Sequence, residues 1–206
     1  MPSFAYHHIF EPATQPAKPP LLLLHGTGGN EHDLLRLGRA ISPGSALLSP
    51  RGDVNEGGAL RFFARLAEGV FDPAEVTRRT YALADFLLAA TEHYRVDASQ
   101  LVAVGFSNGA NIAATLMQLR PETLGGGILL RAMVVLDQAA APGSLVGRSV
   151  LIANGSVDPL VPADHPARPA ALLRAGGAEV KVHTVQASHQ LTSQDVAAGQ
   201  EWLRDR

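Results

Sequence analysis

Val102-Ala103-Val104-Gly105-Phe106-Ser107-Asn108-Gly109-Ala110-Asn111 is the stretch on which the reading of this chain turns. It passes from a short apolar strand pattern into a helical one, with G-x-S-x-G at the junction. A serine at such a junction sits on a tight, strained turn. The positions two before and two after it must be nearly free of side chain, because strand and helix backbones cross there, and Gly105 and Gly109 meet that need. Ala110, Ala113 and Ala114 keep the helix close to the sheet. The helix N-terminus directs free N–H groups and partial positive charge at the serine. Ser107 is therefore a candidate nucleophile, and the backbone N–H of Asn108 a candidate donor to an oxyanion. A glycine-flanked serine in an ordinary strand-to-helix turn would show the same five residues, so the surrounding chain must decide.

Outward from this stretch, apolar runs at 21–24, 46–48, 101–106, 128–136, 150–153 and 180–185 are short and mostly continuous, the pattern of strands buried on both faces. Helical patterns lie between most of them. The clearest runs from Asp72, an N-cap with Pro73 at the first helical position and Glu75 completing a capping box, to Tyr94. Its apolar stripe is Val76, Thr80, Leu83, Leu87, Ala90 and Tyr94. Further helices are expected over 31–41, 108–119, 166–175 and 193–203. Alternating strands and helices predict an α/β fold, a mostly parallel sheet with helices on both faces. Residues 1–20, with Pro12, Pro16, Pro19 and Pro20, read as an irregular lead-in carrying an edge strand over 4–10, and the whole of 1–206 reads as one domain.

When a serine at such an elbow is catalytic, its acid and base follow it in the order Asp or Glu, then His, each on a loop beyond a strand. Both places are filled. After the run at 150–153 comes Asn154-Gly155-Ser156-Val157-Asp158-Pro159-Leu160-Val161-Pro162, which holds Asp158 between a glycine turn and prolines. After the run at 180–185 comes Gln186-Ala187-Ser188-His189-Gln190-Leu191-Thr192, and His189 alone among the histidines combines a post-strand loop with the right chain order. His7, His8, His93, His165 and His183 read as ordinary surface or strand positions.

The first strand opens into His25-Gly26-Thr27-Gly28-Gly29-Asn30-Glu31. As a phosphate-binding turn it fails: no Lys-Ser/Thr ending follows, and Glu31 stands where a dinucleotide fingerprint places glycine. As the loop beside the nucleophile it would supply a second oxyanion donor, the N–H of Thr27. Glu31-His32-Asp33 has the composition of a metal cluster, but neighbouring side chains on a helix diverge, so no metal site is expected.

Taken together, His25-Gly26-Thr27-Gly28-Gly29, Ser49-Pro50-Arg51-Gly52, Arg61-Phe62-Phe63, Gly105-Phe106-Ser107-Asn108-Gly109-Ala110-Asn111 and Asp158-Pro159-Leu160-Val161-Pro162 resemble the small phospholipase/carboxylesterase family of α/β-hydrolases. That family also contains the acyl-protein thioesterases. Within it, these motifs are most similar to bacterial carboxylesterases linked to hydroquinone responses. The resemblance runs from about residue 21 to 203. It implies the α/β-hydrolase fold, Ser107 as nucleophile, Asp158 and His189 as its partners, and the Thr27 and Asn108 amides as oxyanion hole. Two departures stand out: Ser188 occupies the place where the family usually has glycine before the histidine, and Pro166 with Pro169 disturbs a helix start.

Composition narrows the alternatives. Apolar residues are 46% and charged residues 17%, with no apolar run of spanning length, so neither disorder nor membrane insertion is expected. The formal net charge is −2 and the arginines are scattered, which argues against a nucleic-acid partner. Without cysteine there is no thiolate nucleophile and no disulfide framework. A cytoplasmic location is the default expectation; the sequence leaves open whether a homodimer forms.

The expected chemistry is hydrolysis of a small-molecule ester through an acyl-enzyme, with no cofactor. Thioester and lysophospholipid hydrolysis would use the same groups. The rival of another class is a catalytically inactive hydrolase fold used for binding, which usually lacks a triad member. Too few residues separate the run at 128–136 from the next strand to build a cap domain. An open apolar cleft follows, with Phe62, Phe63 and Leu160 as pocket residues and short to medium acyl chains preferred.

Overall fold

The structure is a computed structural model and describes residues 4–161 and 165–206. Strands β1 (His8–Glu11), β2 (Leu21–Leu24), β3 (Leu47–Pro50), β4 (Val54–Glu56), β5 (Ala59–Arg61), β6 (Val102–Phe106), β7 (Gly126–Leu130), β8 (Ser149–Gly155) and β9 (Glu179–Val185) alternate with helices α1 (Leu35–Ile41), α2 (Pro73–Tyr94), α3 (Asn108–Leu119), α4 (Ala167–Ala175) and α5 (Ser193–Arg204). Seven strands form one sheet in the order β1-β3-β2-β6-β7-β8-β9. Only β1 runs antiparallel, against β3. The strands β4 and β5 form a separate hairpin closed by Gly57 and Gly58, both at positive φ.

Every second residue of a strand faces the same way, so one sheet feeds two cores. Leu22, Leu24, Leu48, Ala103, Leu129 and Ile152 pack under α2, α3 and α4. Leu21, Leu23, Leu47, Val104, Ile128 and Leu151 face the opposite side, with Ile41 of α1 and Trp202 of α5. This is the α/β-hydrolase arrangement. The stripe expected on α2 is buried from Val76 to Ala90, and Asp72 caps the helix by accepting from Ala74 N at 2.9 Å. The capping box is not formed, because Glu75 pairs with Arg78 and Arg79 instead.

Several expectations are corrected. The helix expected from 31 starts only at Leu35, since Glu31 is drawn into a bidentate pair with Arg51 and Asn30 Oδ1 takes the His32 N–H at 2.9 Å. The edge strand lies over His8–Glu11 rather than from residue 4, and β9 is itself an exposed edge, with Val182 41% exposed. The strand expected to reach 136 stops at Leu130, because Arg131 adopts φ 60 and swings the chain out of the sheet. Asparagine side chains then take over from the ladder: Asn154 Oδ1 accepts from Ala132 N at 3.1 Å and Asn111 Oδ1 from Met133 N at 2.9 Å. The following connection to β8, residues 131–148, carries neither helix nor strand, and no cap is formed over the sheet's C-terminal edge among the described residues.

Candidate active site

β3 lies on one side of β2 and β6 on the other, so the loops leaving β2 and β6 diverge and open a crevice at the C-terminal edge. Leu24 pairs with Gly105, which brings the two strand ends level. At the end of β6 the chain turns at Ser107, the N-cap of α3, with φ 52 and ψ −115. A side chain carrying a Cβ adopts this conformation at a cost of about 1–3 kcal/mol. It is held by Ser107 N donating to Leu130 O and Asn111 N to Ser107 O, each at 2.9 Å. The flanking glycines are explained by distance: a Cβ on Gly105 would lie 2.5 Å from Gly109 O, and one on Gly109 would lie 2.0 Å from Leu24 O.

His189 sits between Asp158 and Ser107. Its Nδ1 is 2.8 Å from Asp158 Oδ2, and its Nε2 is 2.9 Å from Ser107 Oγ. The Asp158 side chain is fully buried, and its other oxygen accepts from Leu160 N at 2.8 Å and Val161 N at 3.2 Å. Two backbone amides and a ring nitrogen thus fix the carboxylate's aim. Pro162, the second proline flanking this loop, lies outside the described residues. The acid and base loops meet at Gly155, where a Cβ would lie 2.3 Å from Ala187 O and 2.4 Å from Ser188 O. Ser188 does not disturb His189: its backbone lies outside the positive-φ region that would call for glycine. Pro166 becomes the N-cap of α4 and Pro169 is buried in its first turns, so the second departure costs only a side-chain cap.

Two backbone N–H groups, of Thr27 and Asn108, lack an acceptor among the described residues. In the loop after β2, Gly28 N donates to Leu60 O at 2.9 Å and Gly29 N to Gly26 O at 3.1 Å, whereas Thr27 N has no partner among the described residues. The N–H of Asn108 belongs to the first turn of α3 and has no partner within the helix. The Asn108 side chain faces the other way, its Oδ1 accepting from Phe62 N at 2.7 Å. Below the loop, His25 is buried; its Nε2 accepts from Gly52 N at 2.9 Å, so Nδ1 carries the hydrogen donated to Gly26 O at 2.7 Å. Burial holds its pKa below the ordinary histidine value. This neutral ring braces the loop and has no part at the serine.

Ser107 and His189 open into a cavity of about 370 Å³ that Thr27, Phe71, Phe106, Met133 and Leu160 also line. Leu160 is where the sequence places it. Phe62 and Phe63 are not: both are fully buried in the core, because Asn108 takes the Phe62 N–H and Arg61 the Phe63 carbonyl, which turns both rings inward. Nor is the cleft simply apolar, since Arg61, Arg65, Glu68 and Arg131 share its wall. Sequence reasoning missed these residues. The Gly57-Gly58 pair was a hairpin signal that would have located Arg61, and an arginine inside the apolar run 128–136 was a flag for Arg131.

Arg131 is completely buried, and its guanidinium is saturated. NH1 and NH2 hold the Asp195 carboxylate at 2.7 and 2.9 Å; NH1 also donates to Ala153 O at 3.1 Å and NH2 to Gln190 O at 2.7 Å. The remaining N–H, on Nε, donates to Ser188 O at 3.1 Å. The carbonyls on both sides of His189 are therefore tied to one buried ion pair. Asp195 also closes the capping box of α5 through Thr192. Glu31, held by Arg51 at 2.5 and 2.6 Å, has its pKa lowered to about 2 by those hydrogen bonds. That pairing accounts for the acid in the would-be metal cluster.

Residues 64–205 match the family model described as phospholipase/carboxylesterase. The hydrolase MhqD of Bacillus subtilis (strain 168) is 43% identical over 198 residues, covering 96% of this chain and 98% of that protein. The crystal structure of a Bacillus cereus carboxylesterase superposes with a TM-score of 0.93 at 41% identity, covering 98% of this chain and 94% of the other. A carboxylesterase from Mesorhizobium loti superposes with a TM-score of 0.92 at 29% identity, over 100% and 98% of the two chains. With its sheet order, its serine turn and these relatives agreeing, the chain belongs to the phospholipase/carboxylesterase family of α/β-hydrolases.

Proposed function

We propose that the chain is a serine carboxylesterase acting on short to medium acyl esters. The observation that carries this reading is the continuous contact from Asp158 Oδ2 through His189 to Ser107 Oγ, at 2.8 and 2.9 Å. His189 Nε2 accepts the Ser107 proton as Oγ attacks the acyl carbonyl, and Asp158 holds the Nδ1–H tautomer. The tetrahedral oxyanion is received by the N–H groups of Thr27 and Asn108. His189 then returns the proton to the departing alcohol. In the second step it deprotonates the water that releases the acid and regenerates Ser107.

The size of the cavity limits the acyl group. Each methylene contributes about 0.8 kcal/mol only while it is being buried, so the gain should end after roughly eight carbons in a cavity of this volume. Long-chain lysophospholipids are disfavoured for the same reason.

A fluorophosphonate probe tests the nucleophile: labelling of the wild type and none of Ser107→Ala is expected, whereas an unlabelled wild type would mark an inactive binding protein. Nitrophenyl esters of increasing chain length test the range. A kcat/KM still rising at sixteen carbons would overturn the size limit.

A further inference from the structure

Arg61, the last residue of β5, is 3% exposed, and its guanidinium forms part of the cavity wall beside Thr27. Nε donates to Phe63 O at 3.0 Å and NH1 to Thr27 Oγ1 at 2.6 Å. The second hydrogen of NH1 and both hydrogens of NH2 have no acceptor among the described residues. The nearest carboxylate, Glu56, comes only within 3.5 Å of Nε, while its other oxygen is held by Arg65 Nε at 2.7 Å. Arg65 also binds Glu68 at 2.6 Å. Arg61 is thus the guanidinium on this wall left short of partners. Burial pulls its pKa down against the pull of Glu56.

A guanidinium this buried, with N–H groups that reach the cavity and that no described residue accepts, is well placed to take the acceptor of a ligand. The same wall holds one more side-chain donor without a protein acceptor. The Asn111 amide, whose oxygen is held by Met133 N, leaves its NH2 without an acceptor among the described residues. No buried carboxylate or carbonyl side-chain oxygen around the cavity is left waiting for a donor. A ligand matched to this wall carries acceptors, and a carboxylate matches the planar fork of an arginine.

Resting on the serine-esterase reading, we propose that Arg61 binds a carboxylate carried on the acyl part of the substrate, making hemiesters of short dicarboxylic acids the preferred substrate class. The acyl side is assigned by the chemistry. The leaving oxygen must lie at His189, which protonates it, whereas Arg61 hydrogen-bonds the residue that bears the candidate oxyanion donor. Its position next to Thr27 calls for a short spacer, as in a succinyl or glutaryl group.

The test compares ethyl hydrogen glutarate with ethyl pentanoate, which match in acyl length and differ in charge, by ethanol release. A charge-assisted pair predicts a wild-type kcat/KM about tenfold or more in favour of the charged ester, a ratio that collapses in Arg61→Gln and returns in part in Arg61→Lys. Equal rates on the two esters, or a preference that survives in Arg61→Gln, would overturn the proposal. Should Arg61→Gln fail to fold, glutarate binding to the wild type decides: competitive inhibition of pentanoate hydrolysis supports it, and no inhibition refutes it. Calorimetric binding of glutarate to the Ser107→Ala protein, strong there and weakened when Arg61→Lys is added, holds even if no ester is cleaved. Loss of the esterase reading is thereby separated from loss of this one.

Discussion

Arg131 and Arg61 are both buried and both reach the wall of the same cavity, yet their surroundings are opposite. Every N–H of Arg131 is taken, two by a fully buried carboxylate and the others by backbone carbonyls, two of which flank His189. Arg61 has only grazing contact with Glu56 and leaves N–H groups open. The side of the site that carries Asp158 and His189 is closed on itself and built to hold geometry. The side beside Thr27 is left with spare donors, as a surface for a ligand must be. Saturation of hydrogen bonds, more than burial or charge, tells the two arginines apart.

The largest effect should come from the atom between the two sides. Ser107→Ala is expected to lower kcat/KM by about four orders of magnitude or more, with thermal stability unchanged because alanine carries the same Cβ into the same strained turn. Steady-state kinetics and a melting curve check both halves of the statement.

The closed side is broken by Arg131→Met, which strands Asp195 as an unpaired buried charge and should cost about 3–5 kcal/mol in denaturant unfolding. Adding Asp195→Leu should recover part of that stability. It should not recover kcat, since the carbonyls of Ser188 and Gln190 remain untied and His189 loses its aim. Full recovery of kcat in the double variant would show that the pair serves folding alone.

On the open side, Asn108→Ala removes the acceptor of the buried Phe62 N–H and should cost about 1–3 kcal/mol. It also removes a donor that has no partner, which pulls the value toward the lower end. A loss as large as that of Arg131→Met would contradict the contrast between the two sides.

The smallest effect concerns pH. His25 is neutral in the folded chain with its pKa depressed by burial, so below about pH 6.5 the unfolded chain binds the proton first and stability falls as pH falls. Glu31, held near 2 by Arg51 against an ordinary 4.5, adds a second loss that starts only below about pH 4.5. Unfolding curves between pH 7 and 3 should show both. His25→Asn should remove the first decline, and an unchanged profile in that variant would exclude His25 as its cause.

What depends on near neighbours can be read along the chain. Gly105 and Gly109 announce a backbone crossing that no Cβ permits, the apolar runs announce buried parallel strands, and the order Ser107, Asp158, His189 lies open in the chain. Strand ends were misjudged where a single residue decided them, as at Arg131, whose positive φ no apolar pattern signals. Phe62 and Phe63 read as pocket residues because an apolar ring beside a site and one in a core have the same chemistry; only the hold of Asn108 on Phe62 N turned them inward. Which arginine is satisfied and which is open is set by folding. Partnership is settled between positions far apart in the chain, Arg131 with Asp195 and Arg61 with Thr27, and a charge buried in a low dielectric is defined by those partners rather than by its neighbours in sequence.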